Sequence, residues 1–366
     1  MTLEQSWHRV ISGEATGPVA ALARAGLTLL SGPYGVGLAA NLALYESGLQ
    51  ARSRPVLPVV SVGNLALGGA GKSTAVRYLA QELAGRGLRP GIVLRGHSRT
   101  AGAAVLLASD GRGQVAPLAE TGDEAAEMAR VLPRTPVAVG RRRERAVALL
   151  AQTGVQVAIL DDGFQYFRMH RDLDLVLISA RTPVEQGRLF PRGSLREPWS
   201  HLARADQVWI THADHVSEDR LRQVRGLVER HAPGKAIVVA QHAPVALTDL
   251  AGAPQPLDVL AGQPVLAVCG LGCPESFEYT LERLGARVAS LRYDDHHRYE
   301  AGAWEEVARA AERGGAWAVI TTEKDAVKLP ADPPLPVWVL HSELRVIEGA
   351  AVVATALDAI AQRIQA

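Results

Sequence analysis

Residues 59–74 read VVSVGNLALGGAGKST, in which an apolar stretch is followed by a glycine-rich turn that ends in Gly-Lys-Ser-Thr. This order predicts a buried strand, a phosphate-binding loop and the start of a helix. Glycines let such a loop turn with its N–H groups pointing inward, and the positive end of the helix dipole adds to the attraction for phosphate. The stretch therefore predicts a bound nucleotide.

The residues of this loop have separate predicted roles. Lys72 supplies a mobile positive charge for the phosphates, and the Ser73 hydroxyl can ligate magnesium at the helix N-terminus. Ala66 departs from the standard pattern, in which a glycine is expected. An ordinary glycine-rich turn is the alternative, and it requires both the Gly-Lys-Ser-Thr ending and the strand–loop–helix context to be accidental. The predicted nucleotide-binding residues are Gly68, Gly69, Ala70, Gly71, Lys72, Ser73 and Thr74.

Length and composition indicate the broad class of protein. The 366 residues are too many for one typical core and predict two domains, each with a substantial apolar interior. A formal net charge of +1 gives no reason to expect nucleic acid as a partner, although the basic run at 141–145 could meet an anionic surface. Cys269 and Cys273 lack a second pair that would complete a zinc site or a disulfide framework, which fits a reducing cytoplasm.

Residues 1–50 are predicted to form helices at a membrane interface. The first residues lack the basic segment leading into an apolar run that marks a cleaved signal peptide. Residues 17–45 are apolar but interrupted by Arg24, Pro33 and Asn41, whereas a spanning helix needs about 20 nearly uninterrupted apolar residues. Two short helices lying in a bilayer interface suit this pattern. The alternative is that their apolar face packs on the protein's own core.

Strand and helix patterns alternate along the rest of the chain. Short apolar, β-branched stretches separated by amphipathic ones predict an α/β fold, with mostly parallel sheets covered by helices. The proline- and glycine-rich stretch 243–263 is predicted to be a linker between two such units. The predicted domains are residues 51–242, a P-loop NTPase-like unit that contains the phosphate loop, and residues 264–366, a smaller α/β unit.

Two adjacent acids end a second apolar strand. Residues 155–165 read VQVAILDDGFQ, so Asp161 and Asp162 lie at the carboxyl end of a predicted parallel strand. In phosphate-loop proteins a Walker B-like acid reaches magnesium from this position. Either acid fits that role, and a solvated Asp-Asp-Gly turn is the alternative.

Two segments offer groups that handle protons. Residues 293–299 read YDDHHRY and place two histidines beside two acids. A histidine with a carboxylate partner is the proton acceptor that a kinase needs to deprotonate a sugar hydroxyl. A metal site and a merely polar loop are the alternatives for this cluster. Asp123 begins the predicted helix 123–132, where an acid in the first turn complements the helix dipole and needs no further role.

Two further segments carry groups that suit phosphate. Residues 192–198 read RGSLREP and place two guanidinium groups near a helix start, with Glu197 able to touch magnesium or its waters. Residues 321–328 follow an apolar strand of the second unit, so their hydroxyls and Lys324 are expected at a strand end facing an interdomain cleft. A helix cap with surface charges is the alternative for this last segment.

Taken together, these segments resemble one family over most of the chain, the tetraacyldisaccharide 4′-kinases of lipid A biosynthesis. Each motif alone is modest, but their combination and order are those of that family. The matching stretches are residues 63–64, 68–73, 94–96, 122–124, 161–165, 193–198, 270–274 with Phe277, 295–297 and 322–325.

The resemblance implies a bacterial enzyme that moves the γ-phosphate of ATP to the 4′-hydroxyl of a tetraacylated glucosamine disaccharide 1-phosphate, giving lipid IVA. It also implies two α/β/α domains with the active site between them, and peripheral association with the cytoplasmic face of the inner membrane. By the same likeness, Lys72 is catalytic and Asp123 pairs with His296 as a proton-handling dyad. The implied magnesium-side residues are Ser73, Asp161, Asp162 and Glu197.

The alternative function is a phosphate-loop GTPase or ATPase that works as a switch or metallochaperone, with the Asp-His-His cluster binding metal. The sequence favours the kinase, because the Asn-Lys-x-Asp segment that reads guanine does not occur in it. The nearest candidate, residues 323–325, lacks the asparagine and lies in the second predicted unit.

Overall fold

The computed structural model describes residues 3–96, 99, 103–181, 187–294, 297, 299, 301–329, 333 and 335–365. Helices and strands alternate in these ranges, as the sequence predicts. The helices are α1 Leu3–Ser12, α2 Pro18–Glu46, α3 Lys72–Gly85, α4 Leu118–Thr121, α5 Asp123–Val131, α6 Arg143–Ala151, α7 Glu218–His231, α8 Pro274–Arg283, α9 Ala301–Gly314, α10 Glu323–Ala326 and α11 Ala350–Gln365. The strands are β1 Val59–Asn64, β2 Pro90–Leu94, β3 Val105–Ser109, β4 Val137–Gly140, β5 Val157–Asp161, β6 Leu173–Ser179, β7 Gln207–Thr211, β8 Ala236–Asp249, β9 Pro254–Gln255, β10 Pro264–Cys269, β11 Arg287–Arg292, β12 Ala318–Thr322 and β13 Val337–Glu348.

The described strands form one continuous sheet. Their order is β11-β10-β12-β13-β8-β7-β6-β1-β5-β2-β4-β3, with β9 paired to β8. The neighbours are parallel except for the antiparallel pairs β3 with β4, β8 with β13 and β8 with β9. The prediction of a mostly parallel α/β fold is confirmed, with one continuous sheet where two were expected. Strand β1 lies between β5 and β6, so the phosphate loop and the Asp-Asp pair end neighbouring strands.

Helices cover both faces of the sheet. Successive side chains of a strand point to opposite faces, so neighbouring strand residues pack against different helices. Val60 of β1 packs in the apolar cluster that includes leucines of α3, whereas Val59 packs in the cluster that includes α6. In β10, Val265 and Leu266 likewise belong to two different apolar clusters. The α/β/α layering is therefore present on both sides of the β8/β13 pair.

Strand β8 crosses the predicted boundary at residue 242. Residues 243–249, expected in a linker, continue β8 and pair with residues 338–343 of β13. Pro244 lies at a register shift, one of the places where a paired strand tolerates proline. These residues are therefore strand and not the loop that was expected of a linker. Their one proline resembles loop punctuation. We call residues 51–242 the first half and residues 264–366 the second half; that division stays a prediction.

Helix α2 is one helix rather than the two short helices expected. It continues through Pro33, which removes one backbone donor, although the glycines at 32, 35 and 37 are poor helix formers. Leu22, Leu29 and Val36 are 75%, 78% and 71% exposed, so this face does not pack on the protein's core. By length and composition alone, α2 is long and apolar enough to cross a membrane.

The C-terminal part of α2 packs on the first half near the site. Leu42 and Tyr45 form a small apolar cluster with Phe167. The Tyr34 hydroxyl donates to the backbone carbonyl of Arg196 at 2.8 Å. The exposed helix is thus attached directly to the segment that carries Arg196.

Candidate active site

The phosphate loop joins β1 to α3 as the sequence predicts. Gly71 precedes α3 in the left-handed region at φ 77°, and Gly68 has a φ of 108°, conformations that glycine adopts without strain. A Cβ at Gly71 would lie 2.6 Å from the ring of His242. Backbone conformation therefore requires both glycines, and lack of space is a second reason for Gly71.

Neighbouring strands and loops hold the phosphate loop in place. The Asn64 side-chain amide donates to the Ala66 carbonyl at 2.6 Å. Thr211, at the end of β7, donates from its hydroxyl to the Ala70 carbonyl at 2.9 Å. The Leu67 N–H donates to a carbonyl of the segment 188–196 at 2.7 Å. These bonds leave the loop little freedom to change shape.

Lys72 and Asp162, two of the predicted site residues, lie together. Lys72 Nζ is 3.8 Å from Asp162 Oδ1. Arg196 donates from Nη1 and Nη2 to the two carboxylate oxygens of Asp162 at 2.9 and 2.7 Å. Burial raises the pKa of Asp162, but the hydrogen bonds and charges of Arg196 and Lys72 outweigh it and hold the pKa well below its usual range. Asp162 therefore stays ionised and pairs with two cations.

Asp161 has the environment of a metal ligand. Its side chain is buried, and Oδ1 has no hydrogen-bond partner among the described residues. Burial, together with the nearby charge of Glu124, raises the pKa of Asp161 to about 7. A buried carboxylate oxygen without a donor fits a bound cation, and Mg²⁺ prefers such oxygens. We therefore find that Asp161, with the Ser73 hydroxyl at the start of α3, fits a magnesium site.

Arg143 holds the backbone of the Asp161-Asp162 turn by hydrogen bonds. Its Nη1 donates to the backbone carbonyls of Asp161 and Asp162 at 2.6 and 3.0 Å, and Asp162 has a φ of 54°. Burial lowers the pKa of Arg143, against the opposing charges of the two aspartates. In the basic run 141–145, this arginine is therefore buried in the protein and does not face an anionic surface. No pattern in the sequence distinguishes it from its neighbours.

Glu197 is fully buried, and side-chain donors contact both of its carboxylate oxygens. Its Oε2 lies 2.6 Å from His201 Nδ1 and 2.5 Å from Arg204 Nη2, and Oε1 accepts from Gln165 at 2.8 Å. Gln165 also donates to the Asn64 carbonyl at 2.9 Å, so Glu197 is linked to the end of β1. Both of its oxygens are thus engaged by side chains, and its expected role beside magnesium stays a prediction.

The predicted proton-handling dyad is described only in part. Asp123 begins α5, is 4% exposed and accepts the N–H of Glu124 at Oδ1, 3.0 Å away. His296 lies outside the described residues, so its pairing with Asp123 stays a prediction. The neighbouring His297 is described, and its ring stacks on Tyr293 with centroids 4.2 Å apart.

A cavity of about 610 Å³ opens beside the phosphate loop and is lined by both halves. The first half contributes residues 67–74, Arg95, Glu124, Asp161, Asp162 and Arg196. The second half contributes Gly272, Cys273 and Phe277 from around the start of α8, and residues 322–324 after β12. Lys324 therefore lines the cleft in which the sequence places it. The carboxyl edge of a parallel sheet is where α/β proteins bind ligands.

A buried ion pair connects the halves at the wall of this cavity. Arg77 of α3 donates to Glu323 at 2.6 and 3.2 Å, and Glu323 also contacts His341 Nδ1 at 2.8 Å. Glu127 of α5 lies farther from Arg77, at 3.9 Å. Burial raises the pKa of Glu127 to about 8. Burial also raises that of Glu323, but His341 and Arg77 outweigh it and lower the pKa. The ionised partner of Arg77 is therefore Glu323.

The site as a whole suits transfer of a phosphoryl group. A cationic side chain at a helix N-terminus, a glycine-rich loop and a pair of acids at the next strand are the parts that bind a nucleoside triphosphate with its cation. The residues of the second half line the opposite side of the cavity, where the molecule that accepts the phosphoryl group can bind. Sequence reasoning identified Lys72, Ser73, Asp161 and Asp162 in this cavity, but not Arg77 or His242. Arg77 lies in α3 and pairs with Glu323 of the second half, and His242 contacts Thr74 of α3 from β8.

Comparison with known proteins identifies the family. A family model described as tetraacyldisaccharide-1-P 4′-kinase matches residues 23–362. The tetraacyldisaccharide 4′-kinase of Anaeromyxobacter dehalogenans (strain 2CP-C) is 47% identical over 340 residues, covering 91% of this chain and 87% of that protein. The protein of the same name from Geobacter sulfurreducens is 36% identical, covering 97% and 98%.

A solved structure agrees with these sequence matches. The crystal structure of LpxK from Aquifex aeolicus in complex with ATP superposes with a TM-score of 0.72 at 28% identity, covering 92% of this chain and 99% of that one. The matching fold therefore extends over both halves and the cavity between them. The chain belongs to the tetraacyldisaccharide-1-P 4′-kinase family.

Proposed function

We propose that this chain transfers the γ-phosphate of ATP to the 4′-hydroxyl of tetraacyldisaccharide 1-phosphate and so forms lipid IVA. Family membership makes it an ATP-dependent kinase that uses Mg²⁺. The observation that carries the assignment is the cavity in which the phosphate loop, Asp161 and Asp162 face residues of the second half. The switch or metallochaperone alternative has no matching observation.

The residues of the cavity divide the work of binding and transfer. Lys72 and the N-terminus of α3 hold the phosphates, and Arg196 keeps Asp162 in place beside Lys72. Ser73 and Asp161 hold magnesium, which when bound neutralises charge on the phosphate oxygens. Phe277 and Cys273 of the second half cover the loop and limit the access of water, which would otherwise compete as the acceptor.

The acceptor hydroxyl loses its proton to the dyad of Asp123 and His296. A carboxylate beside a histidine holds the imidazole in one orientation and stabilises its protonated form. Asp123 is suited to this because its buried position at the start of α5 fixes the carboxylate. Glu197 acts next to this machinery by fixing Gln165 and the end of β1.

Helix α2 brings the enzyme to its lipid. Leu22, Leu29 and Val36 are spaced seven residues apart, so they share one face, and all three are exposed. An exposed apolar face of this kind inserts among lipid headgroups and acyl chains. We place the protein at the cytoplasmic face of the bacterial inner membrane, associated peripherally through α2, with the acylated disaccharide as its partner and no nucleic acid.

Phosphate transfer to the lipid tests the proposal directly. Purified protein is incubated with ATP radiolabelled at the γ-phosphate and with tetraacyldisaccharide 1-phosphate in detergent, and the products are separated by thin-layer chromatography. We expect label in a lipid with one additional phosphate. Lys72→Ala should reduce the transfer about 100-fold or more, because it removes charge stabilisation in the transition state. The matched control Lys235→Ala, which lies outside the cavity, should leave transfer intact. Label that appears only as free phosphate contradicts the kinase and supports the switch.

A further inference from the structure

His242 of β8 contacts the first turn of α3. Its Nε2 lies 2.7 Å from the Thr74 hydroxyl oxygen, and its ring occupies the space next to Gly71 where a Cβ would clash. Thr74 follows Lys72 and Ser73 directly in the same helical turn. The contact therefore acts on the part of α3 that carries the predicted phosphate and magnesium groups.

The hydrogen-bond pattern determines which atom donates. The single hydroxyl hydrogen of Thr74 goes to the Gly71 carbonyl at 2.9 Å, because a carbonyl can only accept. His242 must then donate from Nε2 to the Thr74 oxygen, which leaves Nδ1 without a proton. Burial lowers the pKa of His242 to about 4, and nearby His215 and Arg77 lower it too, so the imidazole is neutral at neutral pH. Neutrality matches the tautomer that the bonds require.

A second histidine holds His242 in this position. The ring of His212 stacks on it, with centroids 4.2 Å apart and planes 23° from parallel. His212 is itself fixed, since its Nδ1 lies 3.2 Å from the hydroxyls of both Ser179 and Thr211. Thr211 also donates to the phosphate loop at Ala70. The His242 side chain is therefore held between the loop and the ends of β6 and β7.

His242 lies where β8 leaves one partner strand for another. The pairing of β8 with β7 reaches Val239, and the pairing with β13 continues past His242, which lies opposite Leu344. Strand β13 then pairs with β12 of the second half. A contact from His242 to α3 thus connects the strand pair that joins the halves to the phosphate loop.

We propose that His242 is a positioning residue for phosphate transfer, which acts through Thr74 to hold the first turn of α3 in a fixed place relative to the β8/β13 pair. This inference rests on the proposed kinase function, because the groups positioned are Lys72 and Ser73. The Arg77–Glu323 pair anchors the same face of α3 one turn later, since residues 74 and 77 are three apart. The helix is therefore attached to the joining region at two points.

Kinetics of a small set of variants test this role. His242→Phe keeps a ring but removes the donor, and Thr74→Val keeps the shape but removes the hydroxyl. Each should lower kcat about tenfold while leaving KM for the lipid unchanged, because misplacement of groups that act in the transition state reduces turnover. The double variant should be no slower than Thr74→Val alone, since Thr74→Val already removes the contact with His242 together with the Thr74–Gly71 bond. His242→Gln, whose amide can donate, should recover most of the lost turnover.

Controls separate this role from general damage. Thr355→Val removes a hydroxyl that also donates within a helix, but on the exposed face of α11, and should leave kcat unchanged. If His242→Phe fails to fold, Thr74→Val against Thr74→Ser carries the comparison, because serine keeps the hydroxyl. The proposal is overturned if the losses of the two single variants multiply in the double variant, if either single variant turns over like the wild type, or if Gln is no better than Phe.

Nucleotide binding distinguishes failure of this inference from failure of the proposed function. If the wild-type protein does not phosphorylate the lipid, the proposed function fails, but binding of a fluorescent ATP analogue with Mg²⁺ still tests His242. We expect His242→Phe and Thr74→Val each to bind the analogue about fivefold more weakly, with His242→Gln near wild type. Equal affinities in the wild type and His242→Phe would overturn the positioning role whatever the reaction.

Discussion

Arg196 and Asp162 form a two-point ion pair beside the phosphate loop, with both carboxylate oxygens within 2.9 Å of the guanidinium nitrogens. The same guanidinium contacts the side chain of Asn64 and its carbonyl at the end of β1. Asp162 itself adopts a φ of 54°, a conformation that needs support from its surroundings in a residue other than glycine. Arg196 thus connects the ends of β1 and β5 next to Lys72.

We expect Arg196→Lys to reduce activity although the charge is kept. A lysine ammonium cannot donate to two carboxylate oxygens in the fixed geometry of a guanidinium, so Asp162 and the end of β1 lose their shared partner. Turnover should fall about tenfold or more, measured as kcat with saturating ATP and lipid. Arg222→Lys, at an exposed pair with Asp219, is the matched control and should have wild-type kcat. Wild-type turnover in Arg196→Lys would show that the two-point geometry is unimportant.

Asp161→Asn should weaken the response to magnesium and stabilise the metal-free fold. The pKa of Asp161 is raised from 3.8 to about 7, so the folded protein loses stability as pH rises from about 4 to about 7, where the buried carboxylate becomes charged. Asparagine avoids that loss. We expect the variant to gain on the order of 2 kcal/mol over wild type at pH 8.5, measured by thermal unfolding in EDTA.

The same substitution should impair the use of magnesium, although it stabilises the metal-free fold. The concentration of Mg²⁺ that gives half-maximal activity should rise about 100-fold in Asp161→Asn, because an amide oxygen is a weaker ligand than a carboxylate. A variant with normal magnesium dependence would exclude Asp161 as a ligand and leave Asp162 as the acid of this pair that binds the metal.

The local parts of the site were predictable from sequence, and the parts that connect distant segments were not. Lys72, Ser73, Asp161 and Asp162 lie in short strand–loop patterns, whose chemistry follows from neighbours in the chain. The contact of His242 with Thr74 joins residues 168 apart. Nothing in either segment indicates the other, because such pairings depend on the order of strands in the sheet.

The errors at the level of elements have a related cause. The sequence pattern predicts an interruption at Pro33 and at Pro244, but the first lies inside a helix and the second inside a paired strand. In both places proline removes one backbone donor, and the helix or the strand pair continues on both sides of it. A proline therefore predicts a loop only where it does not lie within a long helix or a paired strand.

Charges placed on the exposed face of α2 should weaken membrane binding without unfolding the protein. Leu29→Asp and Val36→Asp lie on the same face and put carboxylates where the proposed contact with acyl chains is made, which is unfavourable. We expect the double variant to sediment less with anionic vesicles than the wild type. Val115→Asp, at a position 55% exposed outside α2, is the control and should sediment normally. Equal sedimentation of the double variant and wild type would mean that α2 does not bind the bilayer.

The two glutamates near Arg77 should respond oppositely to removal of their charge. Glu323→Gln takes away the ionised partner of a buried arginine, which should cost about 3 kcal/mol of unfolding free energy at pH 7. Glu127→Gln should be nearly neutral at low pH and stabilising at pH 9. The pKa of Glu127 is raised from 4.5 to about 8, so the wild type loses stability as pH rises through that range.

The double variant decides whether the two glutamates act on the same cation. In Glu323→Gln, the charge of Glu323 that raises the pKa of Glu127 is gone, so Glu127 should ionise more readily and partly compensate Arg77. Removing both carboxylates takes both acidic partners from the buried Arg77. The loss of unfolding free energy should then exceed the sum of the single effects at pH 7. Denaturant unfolding of the four proteins at pH 7 and pH 9 measures this coupling. Simple additivity at both pH values would show that Glu127 does not act as a reserve partner for Arg77.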